Sequence, residues 1–139
     1  MYKVEVISIF VENKPGKLEK ITRVLAEAGI NILGFSITSV KDFGVIKFLV
    51  DKPQTAFKLF KEKGFTVALT SALGIEMEDK PGGLYKVVSY ISSRGVNIEN
   101  ALVYVKEDRE KAYFVFEVEN IEAALKALEG EGINFLKMK

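Results

Sequence analysis

Apolar and polar residues alternate over residues 2–12, a stretch rich in Val and Ile, and predict a first strand. The period then changes. Leu18, Ile21, Leu25 and Ala28 recur at helical spacing, with Lys17, Glu19, Lys20, Arg23 and Glu27 elsewhere, and predict a helix with one buried face. Pro15 stands at its start, where a helix tolerates proline. Gly29 stands at its end, as a left-handed terminating residue. Residues 30–40 predict a second strand, Lys41-Asp42-Phe43-Gly44 a hairpin with Gly44 at a turn position, and 45–51 a third strand. Lys52-Pro53 opens a second helix that buries Ala56, Phe57 and Phe60 and ends at Gly64; 65–69 predicts a fourth strand.

The same course is then run again. A strand is expected near 72–78, and a helix over 82–94 that presents Leu84, Val87, Val88 and Ile91. Strands follow over 96–105 and 112–118, joined by an exposed charged hairpin at Glu107-Asp108-Arg109-Glu110. A helix over 120–129 presents Ile121, Ala124, Leu125 and Leu128, and 133–138 closes the chain as a strand. The match extends to letters. Asn13-Lys14-Pro15-Gly16-Lys17-Leu18 and Gly29-Ile30-Asn31-Ile32 reappear, 66 residues on, as Asp79-Lys80-Pro81-Gly82-Gly83-Leu84 and Gly95-Val96-Asn97-Ile98. One constant offset over that span is a tandem duplication. The expected fold is α+β: two ferredoxin-like β-α-β-β-α-β units in tandem, residues 1–70 and 71–139, each an antiparallel sheet with both helices on one face. No Gly-, Pro- or Ser-rich linker separates them, since 66–75 run from strand to strand, which implies halves held rigidly together. Both parities of the strands are apolar: Ile7, Ile9 and Val11 against Val6 and Phe10, and Phe114 and Phe116 against Tyr113 and Val115. Helices cover one face, so the other is expected to pack on a second sheet, in the chain or in a homodimer.

Composition narrows the chemistry. The 139 residues are 48% hydrophobic and 28% charged, as in a folded globular chain, and units of about seventy residues have small cores. There is no cysteine and no histidine, which removes disulfides, thiolate nucleophiles, imidazole or thiolate metal sites and histidine acid–base work. The aspartates, Asp42, Asp51, Asp79 and Asp108, show no calcium-loop spacing. No metal, cofactor or catalytic residue is nominated. A net charge of +1 speaks against a nucleic-acid partner. The first eleven residues read as a strand and not a signal peptide, and no apolar run spans a bilayer, so the expected place is the cytoplasm. Arg23, Arg94 and Arg109 are the only arginines among 20 basic residues and Gln54 is the only glutamine, a lean towards a heat-adapted source.

The pattern acid/amide-x-Pro-Gly-x-Leu, an apolar helix, then Gly-[Ile/Val]-Asn-Ile, twice over, resembles the ACT-domain family of regulatory modules. The resemblance covers essentially the whole chain, as in small stand-alone proteins of two such modules. It implies binding of a free amino acid or similar effector between two modules, with contacts from the first turn and from the Asn that opens the second strand. Side-by-side pairing of modules through that strand is part of the same implication. Carried onto this sequence, these are Asn13, Pro15, Gly16, Lys17, Leu18, Asn31 and Ile32, and Asp79, Gly82, Gly83, Leu84, Asn97 and Ile98. Some members place a polar ligand contact two residues before the Asn13 position; Val11 and Met77 stand there.

The residue types fit that chemistry independently. Backbone N–H groups of 16–18 and 82–84, at helix N-termini, suit a carboxylate. Gly16, Gly82 and Gly83 admit a ligand close to the backbone, the amides of Asn13 and Asn31 offer donors and acceptors, and Leu18, Leu84, Ile32 and Ile98 offer apolar walls. A purely structural reading stands beside this one. Asn and Asp favour helix caps and Asx turns without any ligand, Gly29 and Gly95 are caps, and Leu18 and Leu84 serve a core. Asp79 for Asn13 and Gly83 for Lys17 make the two copies unequal, so one strong and one weak or empty site is expected. The expected function is a non-catalytic effector sensor acting on an enzyme of amino-acid metabolism. The alternatives are a ligand-free oligomerisation module and a regulatory subunit of an amino-acid biosynthetic enzyme such as acetolactate synthase. An RNA-binding reading rests on 111–116, whose aromatic pattern is out of register, and an enzyme reading finds no spaced carboxylate or lysine pair.

Overall fold

The computed structural model describes residues 3–105, 110–130 and 132–137. The element order is β1 (Val4–Glu12), α1 (Lys17–Glu27), β2 (Ile32–Val40), β3 (Phe43–Val50), α2 (Pro53–Glu62), β4 (Thr66–Glu78), α3 (Gly83–Ser93), β5 (Asn100–Val105), β6 (Lys111–Glu117) and α4 (Ile121–Leu128). The chain forms two compact units, Glu5–Thr70 and Ser71–Lys139 with Met1–Val4. This is an α+β fold of ferredoxin-like β-α-β-β-α-β pattern.

In the first unit the strand order is β2-β3-β1-β4. β3 runs antiparallel to both β1 and β2, with Ile7 opposite Phe48 and Phe35 opposite Phe48 from the other side. In the second unit β6 is antiparallel to β4 and β5, and the C-terminal segment lies beside β4 through an Ile75–Phe135 bridge. Two backbone bonds of 2.8 Å flank that bridge, Glu76 N–H to the Asn134 carbonyl and Leu136 N–H to the Gly74 carbonyl. The expected closing strand is thus one bridge and two bonds within residues 132–137.

Helix faces follow the sequence pattern. Ile21, Val24 and Leu25 of α1 and Ala56 and Phe60 of α2 join Ile7, Ile9 and Phe48 in one core. Val87, Ile91, Ala124 and Leu128 join Leu73, Ile75, Phe114 and Phe116 in the other. Ala28 is exposed, and Phe57 is half-buried with the Lys61 ammonium 5.6 Å from its ring centre. Val24 joins the core face beside Ile21 and Leu25, whereas Ala28 falls at the C-cap, past the last helical residue Glu27.

Three further expectations change. The two strands expected near 65–69 and 72–78 are one strand, β4, because no breaker interrupts them. Gly44 lies inside β3, and the hairpin turn is Lys41-Asp42 alone, with Lys41 taking the left-handed φ of 56°. The strand expected from 96 begins at Asn100, so Asn97 and Ile98 precede it. In the first copy an irregularity between Ile32 and Gly34 lets the ladder start at Ile32. Glu107, Asp108 and Arg109 of the expected hairpin lie outside the described residues.

Phe60 is fully buried and meets Phe65 edge to face at 5.4 Å. Phe60→Ala is expected to cost about 3–5 kcal/mol, read as a lowered denaturation midpoint in the signals of residues 5–70.

Candidate functional site

Each copy turns from strand to helix in four residues. Gly16 and Gly82 take left-handed φ values of 88° and 86°, a conformation that costs other residues about 1–2 kcal/mol. The Asn13 N–H donates to the Asp42 carbonyl at 2.7 Å and the Asp79 N–H to the Glu110 carbonyl at 3.0 Å, tying each turn to the end of a hairpin. Lys17 and Gly83 N–H donate back to Lys14 and Lys80 carbonyls. An ion pair spans each turn residue, Glu12–Lys14 and Glu78–Lys80, both 3.0 Å. The lysine hydrogen bond, then its charge, holds each carboxyl below the ordinary glutamate range.

Neither helix has a side-chain cap. The Asn13 and Asp79 side chains are exposed and have no hydrogen-bond partner among the described residues, so the capping role open to them in sequence is not used. The Leu18 and Glu19 N–H groups lie in the first turn, where an α-helix leaves donors open. Leu18 is half-buried against the core, whereas Leu84 is 43% exposed. Pro15 is exposed like its counterpart Pro81.

Gly83 has a role the sequence reading did not give it. A Cβ there would lie 1.9 Å from the Glu78 carbonyl oxygen. The bare backbone is therefore used by the chain's own carbonyl, while Gly16 and Gly82 are fixed by φ and have open space where a Cβ would stand.

Asn31 is held by a residue that sequence reasoning missed. Its N–H donates to Asp51 Oδ1 at 3.0 Å, and the Asp51 N–H donates to the Asn31 carbonyl at 3.1 Å. Its own amide remains exposed beside half-buried Ile32. The repeat equivalent of Asp51 is Glu117, whose carbonyl accepts from the Glu99 N–H at 2.9 Å, so Asn97 is held differently. The eleven residues of α1 span about 16 Å. The turn at 13–18 and Asn31 therefore sit at opposite ends of one helix, and no single unit brings them together. The same separation holds across α3 for 79–84 and Asn97.

Three hollows lie near these residues. The first unit holds one of about 500 Å³ that includes Phe10, Glu12, Lys17 and Lys20. The second unit holds one of about 460 Å³ that includes their repeat equivalents Glu76, Glu78, Gly83 and Lys86. A third, about 330 Å³, includes Arg94, Asn97 and Asn120. Lys17, Gly83 and Asn97 are thus in hollow walls; Asn13, Pro15, Gly16, Leu18, Asn31, Ile32, Asp79, Gly82, Leu84 and Ile98 are in none of these three. Among the described residues no three acidic side chains cluster as metal ligands, and no helix is long and apolar enough to cross a membrane.

A sequence profile of the ACT domain pair matches residues 2–139. The chain belongs to the ACT domain pair family. The crystal structure of protein BT0572 from Bacteroides thetaiotaomicron is 32% identical, covers 97% of this ACT pair and 92% of its own chain, and superposes with a TM-score of 0.87. The ligand-free regulatory subunit of aspartate kinase from Thermus thermophilus shares the fold at 20% identity and TM-score 0.63, covering 92% and 91%. The corresponding subunit from Thermus flavus does so at 19% and 0.59, covering 92% of each. No curated protein matches the sequence significantly.

Two outcomes are expected at the turns of this ACT pair. Gly83→Ala forces a backbone shift and should cost about 1–3 kcal/mol in urea denaturation. Lys14→Met should return the Glu12 carboxyl towards its ordinary range in an NMR titration. A lowered carboxyl stabilises above its unfolded value and loses that contribution as pH falls through the folded one, so the variant should differ from the parent only at and above the acid range. An unmoved Glu12 titration would show the pair to be absent in solution.

Proposed function

We propose that this ACT pair is a non-catalytic cytoplasmic sensor that binds a free amino acid and regulates an enzyme of amino-acid metabolism. Each copy, 1–70 and 71–139, acts as one module, and each binding site is completed between modules of two chains in a homodimer. One observation carries the reading: the two groups of candidate side chains, each with unused polar atoms, stand at opposite ends of a helix. A second module is needed to bring such groups to one ligand.

The edge strand supplies the means. Among the described residues β2 has a ladder only with β3, and beyond Ile32 to Gly34 it holds neither charge nor proline. Phe35 and Ile37 are 51% and 47% exposed. Such an edge is a template for pairing. Two β2 strands paired antiparallel about a two-fold axis set the start of one against the end of the other. Asn31 at the start of β2 then approaches the partner's hairpin end, where the Asp42 carbonyl holds the turn at Asn13. The uncapped N–H groups of α1 suit the carboxylate, and Asn13 and Asn31 suit the ammonium. Leu18 and Ile32 line the side-chain end, and Pro15, Gly16 and Lys17 shape the turn. The second copy repeats the layout with Asp79, Gly82, Gly83, Leu84, Asn97 and Ile98, without the Asp51 clip, and is the weaker site.

The test is thermal unfolding against the twenty amino acids. A ligand at a hundred times its dissociation constant adds about 2.7 kcal/mol to the folded state, a shift of several degrees. Asn31→Ala should abolish the shift. Ile37→Lys should both abolish it and halve the mass in sedimentation. A shift that survives both changes would sink the shared-site reading; no shift with any amino acid would leave a structural dimer.

A further inference from the structure

The repeat has kept a hollow in the same place in both copies while its chemistry diverged. In the first unit the hollow borders the start of α1 and the end of α2. Its cations are Lys17, Lys20 and Lys63 and its aromatic walls Phe10, Phe43 and Phe65. None of the three lysines has an ion-pair partner among the described residues. Glu12, the only carboxylate of this lining, is already held by Lys14 at 3.0 Å. Phe10 and Phe43 are 44% and 67% exposed, so apolar surface stands open beside an excess of positive charge, three lysines to one glutamate. The Lys20 ammonium lies 5.6 Å from the centre of the Phe65 ring, within cation–π range.

The matching hollow of the second unit is different. Glu76 replaces Phe10 and Gly83 replaces Lys17. Lys86 and Lys111 share the lining with Glu76 and Glu78, two cations to two carboxylates where the first lining has three to one. Glu76 there accepts from Tyr113 Oη and Asn134 Nδ2, each at 3.3 Å.

We propose that the hollow of the first unit is a binding site for a small dianion with an aromatic body, a dicarboxylate or a phosphate monoester, and that the second hollow does not take it. Its volume of about 500 Å³ is in the range of small-molecule sites. Three ammonium groups attract two negative charges and repel the ammonium of a zwitterion, and the open phenylalanine rings lose water when an aromatic body covers them. The site lies within one unit and needs no second chain, unlike the amino-acid site above.

The test is an amide NMR titration of the full chain with phthalate, phenyl phosphate, inorganic phosphate and phenylalanine. Phthalate, phenyl phosphate or both should give saturable shifts at Lys17, Lys20 and 63–66, with none at 83–90; which of the two binds names the carboxylate or phosphate source. Lys63→Gln should weaken binding about five-fold, and Lys20→Gln with Lys63→Gln by about twenty-five-fold, at an unchanged melting midpoint. Equal binding of phenylalanine, equal binding of inorganic phosphate (an adventitious ion only), or unchanged affinity in both variants would overturn the proposal. The readings separate cleanly: an amino-acid thermal shift that depends on Asn31 should persist in Lys63→Gln, and the dianion titration should persist in Asn31→Ala.

Discussion

Each copy must pass from the end of a strand into a helix within four residues, and that constraint governs the rest of the ACT pair. A left-handed glycine makes the reversal possible. Because Gly16 and Gly82 occupy the cap positions, no side chain is there to satisfy the first helical donors. A backbone bond from the first residue of the turn, Asn13 or Asp79, ties it to a hairpin end, so the uncapped helix start is held by main-chain geometry. What would be a defect in an isolated helix becomes a rigid set of donors facing outward.

The second governing fact is that this set of donors and Asn31 stand at opposite ends of one helix. The helix that begins at the turn carries the chain about 16 Å away before Asn31 appears. Asp51 fixes Asn31 through the backbone and leaves its amide unspent. The edge strand that starts beside Asn31 is short of partners on one side and free of the charges that usually discourage pairing. In the shared site proposed above, binding and assembly are coupled by layout, because neither unit alone brings the groups together.

Much of this was legible in the chain. The 66-residue offset, the switch between periods 2 and 3.6, and the Pro-Gly and Gly-x-Asn-Ile letters gave the units, the helices and the core faces, because those depend on local pattern. What failed depends on distant partners. The same Gly-x-Asn-Ile letters open a strand in one copy and stop short of it in the other, and the residue that distinguishes them, Asp51 against Glu117, lies twenty positions downstream. The strands expected at 65–69 and near 72–78 are one strand, because no residue between them breaks it. The hollows needed Lys63 beside Lys17 and Lys20, a juxtaposition made by the packing of two helices, and no periodicity in the sequence records it.

The bare backbone at Gly83 has a consequence for how the duplicated copies can change. Position 17 carries lysine and can lose it by a single substitution, with its turn intact. Position 83 takes a side chain only if its backbone shifts, because the Glu78 carbonyl occupies the place of its first carbon. A single substitution at this position is therefore unequal between the copies: the first turn can lose its lysine as it stands, and the second must move before it accepts one.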